Sequence, residues 1–178
     1  PRRYSSAASD VYKRQDSTQE ILQSAVTYED GDVIVLNKPS GFAVHGGSSV
    51  ASGVIELLRE MRGTPRLELA HRIDRDTSGC LLICKGRSVL AAVQEAFRQR
   101  VVKKKYDTFV EGEWPRSVRT VSLRLQRYET AWGERRVRVS SSGQLARTDF
   151  SVIARKAQAT HLAATLHTGR THQIRVHT

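Results

Sequence analysis

The sequence predicts an α+β fold, a mostly antiparallel mixed sheet with flanking helices. Short apolar runs bounded by turn residues recur along the chain, VIVLNKP at 33–39 and CLLIC at 80–84 among them. Period-two alternation marks Val121, Leu123 and Leu125, then Val137 and Val139, as strand positions. Two segments instead space their apolar residues three and four apart, as amphipathic helices do. Strands outnumber helices, so the class is α+β.

Taken in order, residues 1–15 (PRRYSSAASDVYKRQ) show no usable apolar period and read as a disordered or non-native tail. Glu29-Asp30-Gly31 is a turn signal, and the strand after it is stopped by Pro39. Ser40-Gly41 continues the loop into the glycine- and serine-rich AVHGGSS at 43–49. Ser52 is placed to cap a helix from Gly53 to about Arg62, with Val54, Ile55, Leu57, Leu58 and Met61 facing inward. After CLLIC and a Lys85-Gly86-Arg87 turn, Ser88 is expected to cap a second helix. It runs to about Arg100, with Val89, Val93, Ala96 and Phe97 turned in. YDTFVEG is the next strand. The two alternating runs after it form a hairpin around Trp132-Gly133, and two more strands cover about 147–153 and 160–167. No internal repeat is present. The chain stops at RVHT, straight after the dense run HTGRTHQIRVH, which suggests a fragment.

Charge narrows the partners. Lysine and arginine number 29 against 18 acids, a net +11. Residues 1–15 supply +3 of this, so the basicity belongs to the domain. A basic domain suits a polyanion, nucleic acid or anionic lipid. No apolar run approaches the roughly 18–20 residues that span a bilayer, and no membrane association is expected. Cys80 and Cys84 share one strand, where their Cα atoms would stand about 13 Å apart. A disulfide needs less than about 7 Å. They are therefore expected as two buried thiols in a reducing compartment, the cytoplasm by default.

The segment HRIDRDTSG at 71–79 crowds Arg72, Asp74, Arg75 and Asp76 onto the lip of a buried strand. The plain account of Asp74 is a structural acid paired with a neighbouring arginine. The functional account needs a partly shielded carboxylate kept ionised by a cation, since desolvation raises its pKa and an adjacent arginine lowers it. Asp76, two residues on along an extended chain, would share its face at about 7 Å and could complete an acid/base pair. The histidines show no H-E-x-x-H spacing, and no metal is expected. RQRVVKKKY at 98–106 holds five basic side chains and one aromatic. Lys103, Lys104 and Lys105 suit phosphate contacts, and Tyr106 could stack on a base or sit in the core. Arg124, Arg127, Arg135, Arg136 and Arg138 form a second basic patch. Arg136 and Arg138 share the strand face opposite Val137 and Val139.

VLNKPSGFAVHGG, HRIDRDTSG, KKYDTFVEG and GRTHQIRVH occur in the order and spacing that resemble the RluA family of pseudouridine synthases, most nearly its ribosomal large-subunit branch. The likeness covers about 26–178, which would make this stretch an incomplete catalytic domain of the pseudouridine synthase fold. It implies that Asp74 is the catalytic aspartate, that Arg170 pairs with it, and that Tyr106 stacks against the uracil. Arg72 would enter the space left by the flipped uridine. Thr77, Ser78 and Gly79 would form a tight turn that brings the backbone close, and Arg75 with Asp76 an ion pair within the motif. The implied reaction is a rearrangement of uridine in large-subunit ribosomal RNA by a monomer, with no cofactor. Attack on C1′ and a glycal route both stay open, the second preferred. A related synthase acting on tRNA, and a non-catalytic RNA-binding or ribosome-assembly protein, are the alternatives. Branch members usually begin with an S4-like domain, absent here, and continue past GRTHQIRVH.

Overall fold

The computed structural model describes residues 17–47 and 52–178. The expectations for residues 1–15 and for the serines of AVHGGSS lie outside the described residues. The chain divides into two compact units, Pro1–Arg98 and Gln99–Thr178.

In the first unit a helix over residues 17–24 (α1) precedes β1 (Val26–Glu29), β2 (Val33–Lys38), α2 (Val54–Met61), β3 (Glu68–Leu69), β4 (Gly79–Cys84) and α3 (Arg87–Arg98). The strands form one antiparallel sheet in the order β1-β2-β4-β3. The turn expected at 29–31 is closed by Asp30, whose Oδ1 accepts from the amides of Asp32 and Val33, both at 2.8 Å. Those two amides favour the ionised form and hold the carboxyl below the usual aspartate range. Ile34, Leu36, Leu81 and Ile83 alternate onto the buried face with Leu22, Leu58 and Leu67.

Both helix starts differ from the sequence expectation. α2 is capped at Gly53 and not Ser52, because Glu56 reaches back to the Gly53 amide at 2.8 Å and also takes the Gly46 amide at 3.0 Å. A Cβ on Gly53 would lie 2.4 Å from the His45 main chain, so only glycine fits there. α3 already includes Arg87, with the Leu90 amide bonded to the Gly86 carbonyl, which puts Ser88 inside the helix. It ends at Arg98, two residues before Arg100 takes a left-handed φ of 58°. Cys84 is buried, and burial pushes its thiol up. Cys80 is exposed, contrary to the expected pair of buried thiols.

The second unit is a five-stranded antiparallel sheet, ordered β5-β9-β8-β6-β7. Its elements are β5 (Lys104–Glu111), β6 (Thr120–Glu129), β7 (Arg135–Val139), β8 (Gln144–Lys156), β9 (Ala159–Leu166) and a one-turn helix, α4 (Gln173–His177). The hairpin expected around Trp132-Gly133 is the β6–β7 pair. β6 also pairs with β8, and the antiparallel strands of the expected α+β class fall into two sheets, one in each unit.

Register sorts this sheet into two faces. Tyr106 pairs with Ala164 and Ala164 with Phe150, while Val121 pairs with Thr148 on the same side. This inner face holds the core of Trp114, Phe150, Leu162 and Ala164, with Tyr106, Val110 and Ile174 packed against it. The one fully buried hydroxyl of β9, Thr160 Oγ1, donates to the Gly112 carbonyl at 2.8 Å and accepts the Trp114 amide at 3.1 Å. The Trp114 indole donates to the Val118 carbonyl at 2.9 Å, so the buried polar atoms of this corner are satisfied.

Candidate active site

Two tight turns carry the candidate residues, one in each unit. In the first, β2 and β4 pair so that Lys38 stands opposite Gly79, which makes NKPSGF and DRDTSG neighbours. The chain turns at 74–77, with the Thr77 amide on the Asp74 carbonyl at 3.1 Å. That turn replaces the extended segment on which a shared face for Asp74 and Asp76 was reckoned. Ile73 is buried beneath it, Asp74 is half-exposed, and Arg72, Arg75 and Asp76 are exposed. Leu82 donates its amide to His71 Nε2 at 3.1 Å, and His71 lies against Phe97 with ring centroids 5.4 Å apart.

The turn is held through its main chain. Lys38 is inaccessible to solvent, and its Nζ donates to the carbonyls of Pro39 and Phe42, both at 2.8 Å, and of Arg75 at 2.9 Å. Gly41 donates to the Arg75 carbonyl at 3.0 Å, Arg75 Nε returns a bond to the Gly41 carbonyl at 3.1 Å, and Ser40 Oγ donates to the Asp76 carbonyl at 2.8 Å. The Arg75 guanidinium is thus directed at a carbonyl of the neighbouring loop. Burial lowers the Lys38 pKa, and the charges of Asp76 and Asp74 oppose that shift. A cation therefore lies within electrostatic reach of Asp74 inside its own unit. Gly79 adopts φ +116°, and a Cβ there would meet nothing within 4 Å. Its requirement is backbone conformation and not the close approach expected for the small residues of TSG.

The lysine was not singled out in the sequence, although a signal existed. Ile34, Leu36 and Lys38 share one strand face by alternation, and the first two are core residues. A lysine on a buried face must have its charge satisfied by fixed acceptors.

In the second unit, Lys104 and Tyr106 point to the inner face of β5, both half-buried, whereas Lys105 points to the other face and Lys103 precedes the strand. Burial first, and then Arg100, lower the Lys104 pKa, and its Nζ lies 3.6 Å from where a Cβ on Gly169 would stand. Arg136 and Arg138 belong with Lys105 on the outer face. Arg136 makes two bonds to Glu134 Oε2, at 3.0 and 2.7 Å, and Arg138 lies over the Tyr128 ring at 5.0 Å. The six expected basic contacts are thus not one patch. Lys104 shares the face of Tyr106, and three of the others lie across the sheet from it.

Arg170 is exposed, with Nε on the Leu145 carbonyl at 3.2 Å. It borders a cleft of about 380 Å³ between the β6–β7 hairpin and the 169–171 loop. Arg127 and Thr171 line the same cleft, and among the described residues no acid does. The arrangement presents a carboxylate on a fixed turn in one unit, and an arginine and a half-buried tyrosine in the other. Such groups can hold a proton, pair with an anion and stack on a planar base.

A family model described as RNA pseudouridylate synthase matches residues 32–178, and the chain belongs to that family. It is similar to proteins named ribosomal large subunit pseudouridine synthase C. It is 50% identical to that of Haemophilus ducreyi over 158 residues, covering 88% of this chain and 49% of the relative. It is 51% identical to that of Vibrio vulnificus, covering 88% and 49%, and 49% identical to that of Escherichia coli, covering 88% and 50%. The chain spans about half the length of these relatives. Among solved structures, Human RNA Pseudouridylate Synthase Domain Containing 4 superposes with a TM-score of 0.72 at 26% identity, over 93% of this chain and 67% of that one.

Proposed function

We propose that this chain carries the uridine-isomerising centre of an RNA pseudouridine synthase acting on large-subunit ribosomal RNA. The observation that carries the reading is the Asp74 turn. It holds a half-exposed carboxylate on a main chain pinned by Lys38, Ser40 and Gly41, with a buried ammonium in electrostatic reach. A carboxylate so framed can act on a substrate without paying to order itself first.

In the reaction, the C1′–N1 bond breaks, the base rotates while bound, and C5 joins C1′. The C5 proton leaves and N1 ends protonated, so no redox partner is consumed. Asp74 serves as the catalytic group, on the glycal route by taking a sugar proton. The GRTHQIR motif assigns Arg170 as its cationic partner. Tyr106 stacks on the uracil, and Arg72, exposed beside the turn, fills the place of the extruded base, whose unstacking costs a few kcal/mol. Lys103, Lys104 and Lys105 supply phosphate contacts, and Arg136 and Arg138 add a second set on the outer face that Lys105 shares. The names of the curated relatives support ribosomal RNA as the substrate, and its place of action is the cytoplasm.

The test is tritium release from a large-subunit rRNA transcript labelled at uridine C5. The parent chain releases tritium, and Asp74→Asn releases at least about a thousandfold less, at unchanged RNA affinity. Equal release by parent and variant removes Asp74 from the mechanism. RNA binding with no release by the parent leaves a binding protein or a partial enzyme, which the same assay on a chain of the relatives' full length tells apart.

A further inference from the structure

We infer that Gln173 is a positioning residue for Arg170, an inference that rests on the functional reading above. The side chain is 3% exposed and uses its full hydrogen-bonding capacity. Oε1 accepts from the Arg170 amide at 3.0 Å and from Thr168 Oγ1 at 2.7 Å. Nε2 donates to the Arg147 carbonyl at 3.0 Å and to Thr148 Oγ1 at 2.9 Å. The Gln173 amide also donates to the Arg170 carbonyl at 3.2 Å, so one residue grips the Arg170 peptide from both sides.

Main-chain partners set the donor and acceptor roles of Gln173. The Arg147 amide donates to Thr168 Oγ1 at 2.9 Å, which leaves the Thr168 proton for Gln173 Oε1. Thr148 Oγ1 accepts from Gln173 and lies 2.9 Å from His177 Nδ1, which extends the layer to α4. Burial lowers the pKa of His177 and so favours its neutral form. The amide orientation of Gln173 is therefore fixed, Nε2 by β8 and Oε1 by Thr168 and the Arg170 amide, and the 168–170 loop is tied to that strand through it. His172, at a left-handed φ of 51°, lets the chain double back far enough for this contact. Among the described residues, the Arg170 side chain is bonded through Nε to the Leu145 carbonyl. Fixing its peptide is what fixes where the guanidinium starts.

Gln173→Met keeps the volume and removes all four side-chain bonds, and Gln173→Glu keeps the two acceptor roles while losing both donors when ionised. The measurements, on this chain, are single-turnover tritium release with rRNA, hydrogen exchange at the Arg170 amide, and the melting temperature. In the Met variant kcat is expected to fall about a hundredfold with KM within threefold, since a displacement near 1 Å costs about that much. The Arg170 amide loses protection in the same variant. The Glu variant recovers kcat as pH falls and its carboxyl regains a donor, while the Met variant stays flat. A purely structural role would lower the melting temperature with kcat per folded molecule unchanged, and would overturn the inference. So would an Arg170 amide protected as in the parent. A parent that isomerises nothing overturns the functional reading alone, and the amide exchange still decides whether Gln173 holds Arg170.

Discussion

Two short turns, 74–77 and 170–173, are held by opposite means. The first is gripped by a buried ammonium that only donates, spread over three carbonyls. The second is gripped by a buried neutral amide that donates twice and accepts twice. An ammonium gathers carbonyl oxygens from loops of any register, but its charge must be taken out of water. An amide carries no such penalty, yet it works only if every neighbour offers the matching partner. The Asp74 turn is therefore built to tolerate sequence around the clamp, and the Arg170 turn to forbid it.

The comparison breaks first at Lys38. Lys38→Met takes the ammonium from the part-buried carbonyls of Pro39 and Phe42 and leaves the Arg75 carbonyl with the Gly41 amide alone. At about 1–3 kcal/mol for each of the two stranded carbonyls, the first unit should lose about 3 kcal/mol in denaturant titration. Gln173→Met, which leaves main-chain partners better able to find one another, should cost about 2 kcal/mol in the same titration. A loss at Lys38 no larger than that at Gln173 would show that the charge adds nothing to the clamp.

A smaller effect distinguishes the units by pH. His177 has a folded pKa below its unfolded value, so the unfolded chain binds the proton first as acid is added. Its contribution is complete above about pH 6.5 and declines as pH falls toward the folded pKa. Melting curves between pH 7.5 and 5 should therefore slope less in His177→Gln than in the parent. Asp149 adds a separate loss at lower pH, because the bond from His167 and then that from Thr120 hold its carboxyl below the usual range. The smallest effect belongs to the outer face. Arg136→Ala should change stability by no more than about 0.5 kcal/mol, since its ion pair with Glu134 is open to water. It should still weaken RNA binding and reduce the salt slope by about 1 if that face meets phosphates.

How much of this was legible in the sequence follows from what each signal measures. β2, β4 and the β6–β7 hairpin were readable because apolar runs and alternation report burial directly. β1 was not, because three of its four residues are exposed and carry no pattern. The two-residue β3 is too short to have one. The start of α2 was misplaced by one residue because a serine looked like the cap, and the carboxylate three residues into the helix did the capping instead. Asp74, Tyr106 and Arg170 came from linked motifs, not from physics that a single residue displays. Lys38 and Gln173 were passed over for a shared reason. Polar side chains are assumed to face water, and each of these is nearly or wholly buried as the solvent of a turn.

The unequal exposure of the two cysteines has a practical use. Cys80 lies next to Gly79 at the start of β4 and is open to solvent, while Cys84 is enclosed with its thiol shifted upward. A maleimide dye offered near neutral pH would therefore attach at one place, six residues from Asp74, without any engineered change. Its emission would report RNA arriving at that turn, separately from any chemistry that follows.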